Sequence, residues 1–160
     1  MCALDGAIPR DDFACGNEVL DRYFETQITQ DTRRRIASAF VALETASGRV
    51  AGYYTLAATS IPLTALSDDI SRKLPRYPVI PAVRLGRLAV DRRFQKLGLG
   101  GALLADALVR CAGSDIAAYA LVVDAKDAAA VEFYVHHGFI QLRDAPMTLF
   151  VPIAAKWAKR

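Results

Sequence analysis

The stretch Arg87–Leu108, "RLAVDRRFQKLGLGGALLADAL", runs from an apolar segment through a basic loop to three glycines within four positions, then into an alanine- and leucine-rich helix. Glycine weakens a helix, yet Gly98, Gly100 and Gly101 stand at the mouth of one, with Arg92, Arg93 and Lys96 just ahead of them. A helix N-terminus carries unpaired N–H groups and about half a positive charge, and both suit an anion. Glycine lets that backbone approach the anion closely, so "QKLGLGG" reads as a pyrophosphate cradle. A turn chosen for packing alone is the competing reading.

Spacing narrows the ligand. A dinucleotide fingerprint requires G-x-G-x-x-G, but Gly98 and Gly100 are followed by Leu103, and the loop Asp91–Leu97 is too long for the tight turn. A phosphate loop of the nucleotide-hydrolase type ends in Gly-Lys-Ser/Thr, which the chain lacks.

Outward from this stretch, apolar spacing at Val19, Leu20, Tyr23, Phe24 and Ile28 predicts a helix from Gly16 to about Gln30. Ala39–Glu44 and Val50–Thr59 read as an antiparallel hairpin turning at Ser47-Gly48. Ser67 resembles an N-cap with Asp68 and Asp69 in the first turn, and "PRYPVIP" reads as a break in regular structure. Val83–Val90 is a third strand. Leu99, Leu103, Leu104, Ala107, Leu108 and Cys111 mark one face of the next helix, while Asp106 and Arg110 have ion-pair spacing on the other. Ile116–Asp124 reads as a strand buried on both faces, Asp127 as the cap of a helix ended by Gly138, and Phe139–Leu142 and Met147–Val151 as two last strands. The class is mixed α/β.

At 160 residues and 53% hydrophobic content the chain is expected to form a single domain over residues 1–160. No apolar run approaches the ~20 residues of a membrane span, and Asp5, Asp11 and Asp12 are foreign to a signal peptide. A cytoplasmic location without membrane attachment is the expectation. Cys2, Cys15 and Cys111 are widely spaced, follow no metal-ligand pattern and read as reduced structural thiols.

The net charge of +3 is unevenly spread. Met1–Asp31 holds seven acids against two arginines, whereas Arg72–Lys96 holds eight basic residues and one acid, Asp91. Such a field favours a polyanionic ligand.

Gln95-x-x-Gly98-x-Gly100 resembles the (Arg/Gln)-x-x-Gly-x-(Gly/Ala) signature of the GNAT acetyltransferases, and "EFYVHHGF" is similar to that family's closing Phe-Tyr and Gly-Phe pattern. The resemblance covers Val83–Phe150. It implies a single mixed, mostly antiparallel sheet flanked by helices and splayed at the cofactor site, with acetyl-coenzyme A held by the glycine turn. "LDRYFETQITQDTRRR", "GYYTLAATSI" and "LPRYPVIPAVRLGRLAV" further resemble the acetyltransferase toxins of bacterial type II toxin–antitoxin modules. That resemblance implies acetylation of the α-amino group of aminoacyl-tRNA, arrest of translation and neutralisation by a ribbon–helix–helix antitoxin. A homodimer rests on the same resemblance. Members of that group often carry glycine directly after the glutamine, where this chain has Lys96.

Acetyl transfer from a thioester to an amine needs a neutral amine, a site for the oxyanion and a proton for the thiolate. An α-amino group of pKa ~7.7–8.0 is partly neutral at pH 7, so a strong base is less necessary than for lysine at ~10.4. Glu132 and Asp124 lie near the right motif but read as a solvated helix residue and a strand-end cap. For the oxyanion the resemblance implies the backbone amides of Leu88, Ala89 and Val90. For the thiolate it implies Tyr134 as general acid, a phenol of pKa ~10 that stays protonated at neutral pH. From the residues alone, Tyr134 reads rather as part of a core-facing stripe with Ala130, Phe133 and His137, its hydroxyl merely hydrogen-bonded. Cofactor contacts are expected from Gln95, Lys96, Leu97, Gly98, Leu99, Gly100, Gly101 and Phe133, and no metal is implied. Arg33, Arg34, Arg35, Arg72, Lys73, Arg76, Arg84 and Arg87 exceed what the cofactor needs and are expected to meet tRNA phosphates. Such contacts position the acceptor end without reading the amino acid. An acetyltransferase acting on a small amine or a protein N-terminus, and a non-catalytic module binding coenzyme A or an antitoxin, are the alternatives.

Overall fold

A computed structural model describes residues 1–10, 12–154 and Trp157. Its strands are β1 (Cys2–Ala3), β2 (Ser38–Leu43), β3 (Val50–Pro62), β4 (Val79–Val90), β5 (Ala120–Asp124), β6 (Ile140–Leu142) and β7 (Ala145–Pro152). They form a seven-stranded sheet in the order β1-β2-β3-β4-β5-β7-β6. β4 and β5 are parallel, while β1 with β2, β2 with β3, β5 with β7 and β6 with β7 are antiparallel. The expected mixed, mostly antiparallel sheet is present. β1 is absent from the sequence reading, because two residues carry no periodicity and are defined only by their partners Val41 and Phe40.

The chain divides into two compact units, Met1–Ala57 with Gly86–Ala107, and Ala58–Leu85 with Leu108–Arg160. In the first, the predicted hairpin forms, with Gly48 in the left-handed region (φ +71°) at its turn. The predicted first helix differs in detail. Asn17 caps α1 (Glu18–Arg22), its side chain accepting from the amides of Val19 and Leu20; a π-helical turn follows (Tyr23–Gln27), then α2 (Ile28–Arg33). The wider π turn departs from the 3.6-residue period on which the prediction rested. Val19 is accordingly 77% exposed, while Tyr23, Phe24 and Ile28 are buried. The rings of Phe13, Phe24 and Tyr53 pack with centroids 4.9 and 4.5 Å apart, in a core that also holds Val41, Val50 and Ala89.

In the second unit, β5 lies between β4 and β7, so Ala120–Val123 are buried. The strand begins at Ala120 rather than Ile116, which is 82% exposed. The "PRYPVIP" segment does not break structure to its end: β4 starts at Val79, with Ile80 and Ala82 buried, and Pro81 keeps its strand role through its carbonyl, which accepts from Tyr119 N (2.8 Å). Ser67 occupies the cap position of α3 (Asp68–Ser71), but its side chain makes no capping bond. The last helix, α5 (Ala128–His136), follows its sequence signals. Asp127 accepts from Ala130 N (2.8 Å), and Gly138 sits in the left-handed region (φ +92°). Ile61, Leu66, Ala82, Val122 and Phe150 form this unit's core. Among the described residues no helix is long and apolar enough to cross a membrane.

Candidate active site

The cradle lies in the first unit. β4 ends at Val90, and Asp91, the single acid of the basic block, is 1% exposed. It accepts from Ala14 N (3.1 Å), Arg93 N (2.9 Å) and Arg93 Nε (2.9 Å). Burial alone would raise its pKa; the bonds from Arg93 and Ala14 outweigh it and hold the carboxyl below the usual range. Arg93 also pairs with Asp12 at 3.6 Å. Arg92 N donates to Ala14 O (2.9 Å), and Gln95 Nε2 donates to Cys15 O (2.8 Å) and Val90 O (2.9 Å). Gln95, expected to contact the cofactor, thus spends its donors on the protein. It clamps the loop to the Ala14–Cys15 strand of backbone.

Beyond the clamp, Lys96 (φ +63°) and Gly98 (φ +80°) both adopt the left-handed conformation. The next helix, α4, spans Leu99–Ala112, and its first ladder bond runs from Ala102 N to Gly98 O (3.1 Å). The amides of Leu99, Gly100 and Gly101 therefore stand ahead of the ladder, as an anion site requires. The residues present fit a pyrophosphate: the loop offers backbone donors, and Asp91, Arg93 and Gln95 turn their side chains to the protein. Leu97 is 74% exposed. Leu88, Ala89 and Val90 close β4, past the Ala82–Leu85 segment that pairs with β5.

A residue missed by the sequence reading supports this arrangement. A Cβ on Gly52 would lie 2.9 Å from both Ala89 O and Leu103 Cδ1, so only glycine lets β3 pass this close to β4 and α4. An isolated strand glycine is the available signal.

Arg87 is stacked over the Tyr23 ring at 3.7 Å, and the Tyr23 hydroxyl donates to Asp31 (2.8 Å). Arg33, Arg34 and Arg35 end α2 as exposed residues, with Arg35 also left-handed (φ +60°). A groove of about 440 Å³ in this unit is lined by Gly16, Glu18, Asp21, Arg22, Glu25 and Arg92, among others.

The second unit holds Tyr134 and Phe133. Tyr134 is 8% exposed, its ring 5.2 Å from Phe133 and 5.3 Å from Phe139, and burial pushes its pKa up to about 12. Three other tyrosines are buried, and each hydroxyl has a protein acceptor: Asp31 for Tyr23, Leu20 O for Tyr53 and Asp106 for Tyr54. Asp106, predicted as half of a surface pair with Arg110, thus also serves an interior hydroxyl. Tyr134 has no acceptor among the described residues, and its hydroxyl is not sealed from solvent.

The remaining basic candidates differ in what they touch. Arg84 pairs with Asp124, which also accepts from Thr148 (2.8 Å), so Asp124 serves the strand end as expected. Arg72 pairs with Asp69 (3.0 Å), Arg76 donates to the carbonyls of Ser71 and Leu74, and Lys73 is exposed. Glu132 is exposed. Burial pushes the Cys111 thiol up to about 11, away from nucleophilic use.

The geometry can be set beside known proteins. Residues 12–148 match the family model described as an acetyltransferase (GNAT) domain. The chain is 36% identical over 129 residues to a tRNA-acetylating toxin of Mycobacterium tuberculosis (strain ATCC 25618 / H37Rv), covering 79% of this chain and 75% of that protein. It resembles AtaT complexed with acetyl-methionyl-tRNAfMet with a TM-score of 0.85 and 34% identity, covering 92% of this chain and 89% of that one. It also resembles a mutant AtaT toxin bound to acetyl-CoA and the C-terminus of the antitoxin AtaR, with a TM-score of 0.76 and 30% identity over 96% of this chain and 91% of that one. The glycine cradle thus belongs to a family in which acetyl-CoA is the donor, and the chain is a member of the GNAT acetyltransferase family, an acetyl-CoA-dependent N-acetyltransferase.

Proposed function

We propose that the acetyl acceptor is the α-amino group of aminoacyl-tRNA, that the chain is the toxin of a type II toxin–antitoxin module, and that Tyr134 is its general acid. The observation that carries the chemical assignment is the Tyr134 hydroxyl, the one buried tyrosine hydroxyl without a protein acceptor among the described residues. The acceptor is supported by the tRNA-acetylating and tRNA-bound relatives. The family match draws on residues of both compact units, which supports reading residues 1–160 as one acetyltransferase domain.

Acetyl-CoA supplies an activated acetyl thioester. The amides of Leu99, Gly100 and Gly101 hold its pyrophosphate, and those of Leu88 and Val90, which point away from the β3 edge to which Asp91 N is bonded, stabilise negative charge on the acetyl oxygen. The attacking amine enters neutral and releases its proton to water. Tyr134 Oη gives its proton to the departing sulfur and recovers one from solvent, which its hydroxyl reaches. With its pKa pushed up to about 12, Tyr134 keeps that proton across the working range. Arg33, Arg34, Arg35 and Lys73, exposed and without an ion pair among the described residues, are the first choices for tRNA phosphates, although the Arg34 charge also helps hold the Asp31 carboxyl down. Arg72, Arg76, Arg84 and Arg87 must leave or share the protein groups they touch.

The same reading assigns a ribbon–helix–helix antitoxin, a homodimer and a cytoplasmic site of action. An antitoxin-bound relative supports an antitoxin partner; its ribbon–helix–helix fold rests on the sequence resemblance. A monomer by light scattering at micromolar concentration would remove the dimer.

The test supplies labelled acetyl-CoA with charged tRNA, uncharged tRNA and free amines. Label on charged tRNA alone supports the proposal; label on free amines would overturn it.

A further inference from the structure

Of the described arginines, Arg87 alone lies over a buried ring: its guanidinium carbon is 3.7 Å from the centroid of Tyr23, which is 7% exposed. The ring is fixed in its turn. Tyr23 opens the π-helical turn, and its hydroxyl donates to Asp31, which also accepts from Gln27 Nε2 (3.0 Å) at the far end of the same turn. Turns of this kind are rare and recur at functional sites. Arg87 itself is half-buried and makes no hydrogen bond or ion pair among the described residues, whereas Arg84 is taken by Asp124 and Arg93 by Asp91. The fold thus lays a guanidinium plane on an aromatic floor and leaves its N–H edge unclaimed.

Its place in β4 gives the stack a use. Leu88, the next residue, supplies one of the amides assigned to the acetyl oxygen, so a group that meets Arg87 lies beside the reacting carbonyl. On an aminoacyl-tRNA, the terminal nucleotide is within a few bonds of the amine, and its unpaired base can stack on an aromatic ring or a guanidinium plane. Charge for its phosphodiester stands close by. The Asp31 carboxyl is held below its usual range by the bonds from Gln27 and Tyr23 and, against burial, by the charges of Arg87 and Arg34, so both cations flank that carboxylate. We propose that Tyr23 and Arg87 form a stacking platform for the terminal base of the acceptor, Arg87 acting through its plane and not as a phosphate ligand. The proposal rests on the aminoacyl-tRNA reading and adds to it the group that seats the nucleotide.

The experiment measures kcat and KM for charged tRNA over a salt series, with acetyl-CoA affinity by calorimetry, for the full chain, Arg87→Lys and Arg87→Gln. A platform needs the plane, so Arg87→Lys, which keeps the charge, is expected to raise KM about five- to twentyfold while kcat and acetyl-CoA affinity stay within about twofold. Its salt dependence should match the parent's, because no phosphate contact is lost. Parental KM in Arg87→Lys overturns the proposal. So does a salt slope smaller by about one in Arg87→Gln, the mark of a lost phosphate contact. A pair of small substrates tests the base without phosphates and without relying on the variants. The parent is expected to favour an aminoacyl-adenosine over the methyl ester of the same amino acid about tenfold in kcat/KM, and Arg87→Lys to lose that preference. No preference in the parent overturns the platform. Label on free amines as readily as on charged tRNA would instead overturn the acceptor reading itself, and is seen in the parent arm alone.

Discussion

The cradle loop and the Tyr134 helix handle polar groups in opposite ways. In the loop, Asp91 and Gln95 direct their polar atoms at the protein, so what remains to offer a ligand is chiefly backbone amide. In α5, the backbone is used by the helix, and Tyr134 leaves a side-chain hydroxyl unclaimed in apolar surroundings. Binding is thus assigned to main chain held by side chains, and proton transfer to a side chain held by packing. Substitutions in the two regions should fail differently.

The largest expected effect is on chemistry. Tyr134→Phe should lower the acetylation rate about 10²–10⁴-fold while acetyl-CoA affinity and melting temperature change little, because no partner is orphaned when the hydroxyl goes. Rates on charged tRNA, with calorimetry beside them, check this. A parallel loss of binding would erase the contrast.

Next comes Asp91→Ala. It leaves Arg93 Nε and the amides of Ala14 and Arg93 without their acceptor, with Asp12 still beside the guanidinium, and should cost about 2–4 kcal/mol in urea unfolding, weakening the coenzyme as well. Since the Asp91 carboxyl is held below its usual pKa, its contribution is present above the unfolded value near ~3.9 and is lost as pH falls through the folded one. The gap between parent and variant should accordingly close in acid.

Gly98→Ala is milder. Among the described residues, nothing beyond its chain neighbours lies within 4 Å of the Cβ it would add, so the cost reduces to the left-handed backbone at φ +80°, about 1–2 kcal/mol by the same unfolding measurement. The smallest expected effect is the pH profile at low amine concentration. The rate should rise through pH ~7–8 as the α-amine deprotonates, and stay flat through pH 10, where an ordinary tyrosine would begin to lose its proton, because burial holds Tyr134 near 12.

Periodicity and caps made much of the architecture readable. The stripe from Leu103 to Cys111, the apolar run Ala120–Val123, and the Asp127 and Gly138 signals each depend on neighbours in the chain, and each matches an observed element. What stayed hidden depends on partners distant in sequence. Pro81 belongs to a strand because β5 and Tyr119 accept it there, and the π turn serves a core assembled from Phe13, Phe24 and Tyr53. At the site, Gln95, Gly98 and Tyr134 stood out by motif, but their division of labour did not. Whether a glutamine faces a ligand or clamps a loop is decided by Cys15, eighty residues away. Asp91, the one acid among eight bases, carries no motif to mark it, yet it is the group around which the loop is built.

The Ala14 amide, whose proton is held by Asp91, gives the cradle a reporter outside the cradle. Exchange of that proton with deuterated solvent requires the carboxylate to let go, so its rate measures how often the loop comes undone. Coenzyme that stabilises the closed loop should slow exchange at Ala14, giving a readout of occupancy from a residue that need never touch the ligand.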